Sequence, residues 1–169
     1  TDKSQSGEIE EIRICGGLYY MLKNIEIVKV ENEELLRQCL AIRNDVFTVE
    51  KGVPKSIEAD GFDILSEQCE HFLIKYNDNN AGTVRCVKES DFTIRIQRFC
   101  LYKRFRSSGM GKESLAYLER YYSKNGVAEI VMDAKFEVYG FYKKCGYEKV
   151  SDIFIEAGIE HIKMRKSLL

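Results

Sequence analysis

From residue 25 onward the chain alternates between short β-branched runs and longer stretches with helical spacing. Ile25, Ile27 and Val30 predict a first strand over 25–30. Asn32 then stands as an N-cap for a helix with Leu35, Leu36, Cys39, Leu40 and Phe47 on its buried side. Gly52-Val53-Pro54 breaks that pattern, and the acidic stretch from Glu58 to Asp63 reads as a loop. Residues 71–76 and 81–89 predict a hairpin turned at Asn77-Asp78-Asn79-Asn80, and 92–102 a further strand. A helix over 109–123, with Leu115 and Leu118 inward, leads to a short buried strand over 129–134. A second short helix over 136–144 is ended by Gly146, and 147–154 with 160–166 predict an antiparallel pair around Ala157-Gly158.

The order β-α-loop-β-β-β-α-β-α-β-β predicts an α/β fold (α+β by some schemes), a single domain with a mixed central sheet and helices on both faces. Residues 1–21 read as an N-terminal extension, native or left by a tag or an upstream start, and 22–169 as the domain. Within the extension Thr1 to Gly7 is polar, and Ile9, Ile12 and Ile14 fit a helix turn or an added edge strand.

Composition narrows the function classes. A length of 169 residues with 44% hydrophobic and 31% charged positions is that of one ordinary globular domain. The net charge of -1 gives no broad basic field for nucleic acid or an acidic membrane, so a phosphate-bearing ligand needs a local arrangement. No apolar run reaches membrane-spanning length, and no secretory signal is legible; the expected location is cytoplasmic. The six cysteines, Cys15, Cys39, Cys69, Cys86, Cys100 and Cys145, form no CxxC pair and read as reduced structural residues. Cys69 and His71 lack a second ligand pair at zinc spacing, so no metal site is predicted.

The informative run is Arg98 to Lys112, RFCLYKRFRSSGMGK. An apolar strand ends in basic residues, and a loop of small residues opens into a helix. Such a junction offers backbone N–H groups at a helix N-terminus, where the dipole also favours an anion. Gly109 and Gly111 remove side chains from the approach, and Arg106 and Lys112 add charge on either side. The glycines could equally serve only a tight turn. The run is no P-loop, lacking GxxxxGK[ST], and it follows a central strand where a dinucleotide-binding loop follows the first.

Arg106-Ser107-Ser108-Gly109-Met110-Gly111 resembles the RxxGxG pyrophosphate loop of the GNAT acetyltransferase superfamily. Phe141 to Tyr147, FYKKCGY, resembles its FYxxxGF segment, at the right distance downstream. Arg43 to Pro54 and Glu156 to Met164 resemble the R-x-x-VF-x-x-EQ-G-VP opening and EAGIPH-x-x-M ending of the ElaA-like branch. Ser107, Lys51 and Lys135 depart from the usual glycine, glutamine and glutamine or asparagine.

The resemblance implies an N-acetyltransferase that uses acetyl-CoA as co-substrate and an amine as acceptor, by direct attack on the thioester. Tyr142 matches the family's proposed general acid. Phe99, Cys100 and Leu101 would lie along the pantetheine arm, Arg106 to Lys112 would hold the pyrophosphate, and Phe141 would border the cofactor. Base or acceptor-site candidates are Glu50, Glu58, Asp60, His71 and His161, with a water relay as an alternative. Glu58, Asp60 and Asp63 read either as an attractor for a cationic amine or as a solvated loop. A GNAT-fold module that binds acyl-CoA without catalysis remains the alternative. A homodimer is allowed if the extension covers a sheet edge of a second copy.

Overall fold

The computed structural model describes the backbone of residues 9–14 and 17–22 and the whole of residues 24–169. Strands β1 (Ile9–Ile14) and β2 (Gly17–Leu22) pair antiparallel with each other as a separate two-stranded sheet. The polar start and Cys15 fall outside the described residues.

The main sheet holds β3 (Ile25–Lys29), β4 (Cys69–Tyr76), β5 (Asn79–Lys88), β6 (Thr93–Leu101), β7 (Glu129–Lys135), β8 (Glu148–Lys149), β9 (Phe154–Glu156) and β10 (Ile159–Ser167). Its order is β3-β4-β5-β6-β7-β10-β8, with β9 folded onto β10. Among the described residues only the β6–β7 pair is parallel.

Strand alternation supplies two cores. Phe72 faces α3 (Met110–Lys124) and α4 (Tyr139–Lys144), with Val84, Ile94, Ile96, Ile130, Met132 and Ala134. The next residue, Leu73, faces α1 (Glu33–Arg43), with Leu36, Cys39, Ile42, Val46 and Cys100. Helices thus cover both faces, as the element order predicts. Asn32 caps α1, its side chain accepting from the Leu35 N–H at 2.9 Å, an interaction worth about 1 kcal/mol.

Several boundaries differ from the sequence pattern. The first helix runs on through Phe47 as the pattern predicts, but from Asn44 to Glu50 it does so as a π-helical turn. The acidic loop opens with one helical turn, α2 (Lys55–Glu58). The hairpin between β4 and β5 turns on two residues, not four: Asn77 and Asp78, with φ of 47° and 63°, take the left-handed geometry such turns require. Residues 147–154 do not form one strand. The Ser151 hydroxyl accepts the Lys163 N–H at 2.9 Å, the place a strand carbonyl would fill, and this separates β8 from β9.

One irregularity positions the site. Arg85 pairs with Gln97 and Thr83 with Cys100, so Arg98 and Phe99 together oppose Val84. This is a β-bulge, with Arg98 at φ 52°. Where the two strands draw together beyond it, a Cβ on Gly82 would lie 2.4 Å from the Cys100 carbonyl oxygen, so only glycine fits. On its other edge β6 is registered with β7 over three pairs only, Thr93–Arg95 against Glu129–Val131. Beyond them the two parallel strands part, and the sheet opens as a wedge.

Candidate active site

The wedge has one wall from the end of β6. Phe99 and Leu101 face the α3 side, while Cys100 faces α1 and is buried, which pushes its thiol up to about 12 and leaves it inert. The chain then passes a 3-10 turn and enters the loop Arg106–Gly109. Ser107 (φ 59°) and Gly109 (φ 85°) both take left-handed backbone, which bends the loop over the start of α3. Gly109 gives α3 no side-chain cap, and the Met110 N–H meets the Ser108 hydroxyl only at 3.4 Å, which leaves the first-turn N–H groups without a close side-chain partner. Ser108 is tied inward, donating to the Phe105 carbonyl at 2.7 Å. Met110 is buried against Ile74 and Ala81 and anchors the helix. Ser107 and Lys112 are exposed.

Arg106 lies at this loop but turns back. Its Nε donates to the Leu101 carbonyl at 2.9 Å and its two Nη atoms meet Glu50 at 2.5 and 2.9 Å. Gly111 has a reason the sequence does not disclose: a Cβ there would stand 3.1 Å from Phe141 Cζ. The glycine lets the Phe141 ring sit on the first turn of α3, and Phe141 in turn packs edge-on against Tyr142, centroids 5.0 Å apart. Tyr142 is buried in the main core. Burial raises its phenol well above the ordinary value, and among the described residues it has no hydrogen-bonding partner that stabilises either form.

The far wall is β7. Ile130, Met132 and Ala134 face the α3 core, so Lys135 faces the α1 side at the open end of the wedge. It lies opposite His161 on β10. The Nδ1 of His161 donates to the Ile159 carbonyl at 2.9 Å, since a carbonyl can only accept; this leaves Nε2 as the unprotonated nitrogen of the neutral ring. Its ring stacks on Phe154.

The other candidates gather in a buried cluster over the α1 side. Arg43, 1% exposed, bonds Glu58 Oε1 at 2.5 Å and Asp63 Oδ1 at 2.5 Å. Arg85, equally buried, bonds Asp60 at 2.5 and 2.7 Å, Asp63 at 2.8 Å and Gln97 at 2.7 Å. From the bulge, Arg98 reaches the Glu58 carbonyl at 3.2 Å and Asp60 at 3.4 Å. Burial works against the Asp60 carboxylate, yet hydrogen bonds from Arg85 and the Phe62 N–H bring it down to about 2. The stretch is therefore neither a solvated loop nor a spare negative field. Its carboxylates neutralise three arginines and clamp the α1–β4 connection to the sheet.

His71 belongs to the same scaffold. It is 1% exposed, its Nε2 donates to the Phe62 carbonyl at 3.0 Å, and burial lowers its pKa. Arg85 and Arg98 were not among the sequence candidates. The signal for Arg98 is a phase jump in β6, where inward apolar positions pass from Ile94 and Ile96 to Phe99 and Leu101. Among the described residues no group of three His, Cys, Asp or Glu is placed to hold a metal, and no helix is long and apolar enough to cross a membrane.

A bulged strand parting from its parallel neighbour beside an uncapped, glycine-bearing helix start defines the class of fold. Residues 42–168 match the acetyltransferase (GNAT) domain family, and the chain belongs to that family. The uncharacterized protein YyaT of Bacillus subtilis is 33% identical over 144 residues, 85% of this chain and 97% of that protein. The crystal structure of Escherichia coli ElaA superposes with a TM-score of 0.72 at 23% identity, covering 84% of this chain and 99% of ElaA. An aminoglycoside 6'-N-acetyltransferase solved with coenzyme A gives a TM-score of 0.70 at 15% identity, covering 85% and 97%. The protein is an acetyltransferase by family.

Proposed function

We propose that the chain transfers an acetyl group from acetyl-CoA to a primary amine of a small molecule or peptide, with Tyr142 as general acid. One observation carries the reading: the unpaired edge of β6 beyond Arg95 runs directly into the left-handed loop and uncapped start of α3. An extended pantetheine arm can add to that edge as a strand does, and the diphosphate can take the N–H groups of the loop and first helical turn. Coenzyme A in the solved aminoglycoside acetyltransferase agrees with this choice of donor.

The neutral amine nitrogen attacks the thioester carbonyl carbon, and the carbon–sulfur bond then breaks. The leaving sulfur takes the phenolic proton of Tyr142, and the surplus proton on nitrogen passes to a base. Burial keeps the Tyr142 phenol protonated, and it also makes the phenol a weaker acid toward the departing sulfur. His161, its Nε2 3.9 Å from Glu156 Oε2, fits the base better than the arginine-bound Glu58 and Asp60 or the enclosed His71. A water relay serves the same role.

Release of free CoA thiol with an amine panel tests the reading. Tyr142→Phe should lower kcat by roughly 100-fold with little change in acetyl-CoA affinity, the usual weight of a positioned acid. Unaltered turnover in that variant removes Tyr142 from the chemistry. Tight acetyl-CoA binding without transfer to any amine favours a non-catalytic acyl-CoA module instead.

A further inference from the structure

The α1 side of the wedge, opposite the glycine loop, is basic. Lys135 faces it from the end of β7, four residues beyond the last pair with β6. Arg98 faces it from the β6 bulge, and Lys51 follows the π-helical turn. Lys135 is half-buried and has no ion pair among the described residues. Its ammonium pKa is lowered, first by burial, then by the charges of Lys51 and Arg98, with Glu137 opposing. Arg98 is itself paired with Glu58 at 3.6 Å and Asp60 at 3.4 Å, carboxylates that also hold Arg43 and Arg85, so Lys135 and Lys51 are the cations here without an ion pair among the described residues.

A polycationic amine would meet like charges here, offset only in part by Glu137 beside Lys135. An acceptor carrying an anion would relieve them, and would supply the counter-charge that a half-buried ammonium lacks. We propose that the acceptor is an amine bearing a carboxylate, of the amino-acid type, and that Lys135 binds that carboxylate while Lys51 adds to the field. The inference rests on the acetyl-transfer reading above. Lys135 acts as a specificity residue: it grips the anionic end and leaves the amine directed toward the split between β6 and β7.

Thiol release from acetyl-CoA is measured with leucine and methionine, their carboxamides, and spermidine, and acetyl-CoA affinity is measured separately by calorimetry. The carboxamides have less basic amines, so at equal pH more of each is neutral and chemistry alone favours them. The expected result is the reverse: kcat/KM for the free amino acids exceeds that for the amides at least about tenfold, as for a charge-assisted contact. Lys135→Gln should remove most of that advantage through KM, leave acetyl-CoA affinity within about twofold, and be rescued by Lys135→Arg. Amides or spermidine turned over as well as the amino acids overturn the inference while acetyl transfer stands. A preference that survives Lys135→Gln also overturns it, as does turnover of no amino acid by a protein that binds acetyl-CoA. Failure to bind acetyl-CoA sinks the donor reading, and the inference falls with it.

Discussion

Arg106 and Glu50 face each other as a fork on a carboxylate, Nη1 to Oε1 at 2.5 Å and Nη2 to Oε2 at 2.9 Å, with Arg106 Nε closed onto the Leu101 carbonyl. The pair ties the end of the first helix to the loop that precedes α3. It also spends the guanidinium that the loop motif would offer to a diphosphate, and places a carboxylate beside it.

A diphosphate docking on this loop brings negative charge next to Glu50. Neutralising the carboxylate removes that repulsion and frees the guanidinium. Glu50→Gln should therefore tighten acetyl-CoA binding by about two- to fivefold at low ionic strength, and the gain should shrink with added salt because the pair is exposed. Calorimetry at two salt concentrations reads this directly. Weaker binding in Glu50→Gln would mean that the carboxylate's main role is to hold the loop in shape.

The arginine–carboxylate cluster leads to a stability prediction of opposite character. Arg43 is buried and serves Glu58 and Asp63 together. Arg43→Met leaves both carboxylates without their main partner in a site that water reaches poorly, a loss of about 3–5 kcal/mol. Adding Glu58→Gln and Asp63→Asn should recover a large part of it, since the stranded charges and not the lost attraction dominate the cost. Chemical denaturation of the single and triple variants measures both values. A single variant within about 1 kcal/mol of the parent would show that the site admits water freely.

How far such features could be read in advance depended on whether their cause was local. The helix start at Asn32, the turn at Asn77-Asp78 and the phase jump from Ile96 to Phe99 are written in adjacent residues. Gly111 is plain as a glycine, but its partner Phe141 is thirty residues away, and only packing of α4 on α3 reveals the contact. The acidic stretch misled in the same way. Glu58, Asp60 and Asp63 look like a free negative patch until Arg43, Arg85 and Arg98, from one helix and two strands, are folded onto them. Lys135 was visible as a departure from the usual amide, yet its basic surroundings arise only where β6 and β7 separate.

The same cluster sets how the fold responds to acid. Burial holds the His71 pKa below its usual 6.5, so the unfolded chain takes up a proton more readily than the folded one. Its contribution is complete above pH 6.5 and erodes as pH falls through the lowered folded value. Asp60 behaves likewise at lower pH: with a folded value of about 2 against an ordinary 3.8, its contribution is complete above 3.8 and is lost as pH falls toward 2. Asp63 is lowered too and adds to this second stage. The melting temperature should accordingly fall in two steps on acidification, the first beginning below pH 6.5 and the second below 3.8. His71→Gln should flatten the first step and leave the second, while Asp60→Asn should lower stability at neutral pH and flatten only the second. A first step of unchanged size in His71→Gln would assign it to another group, because no proton can then be taken up at position 71.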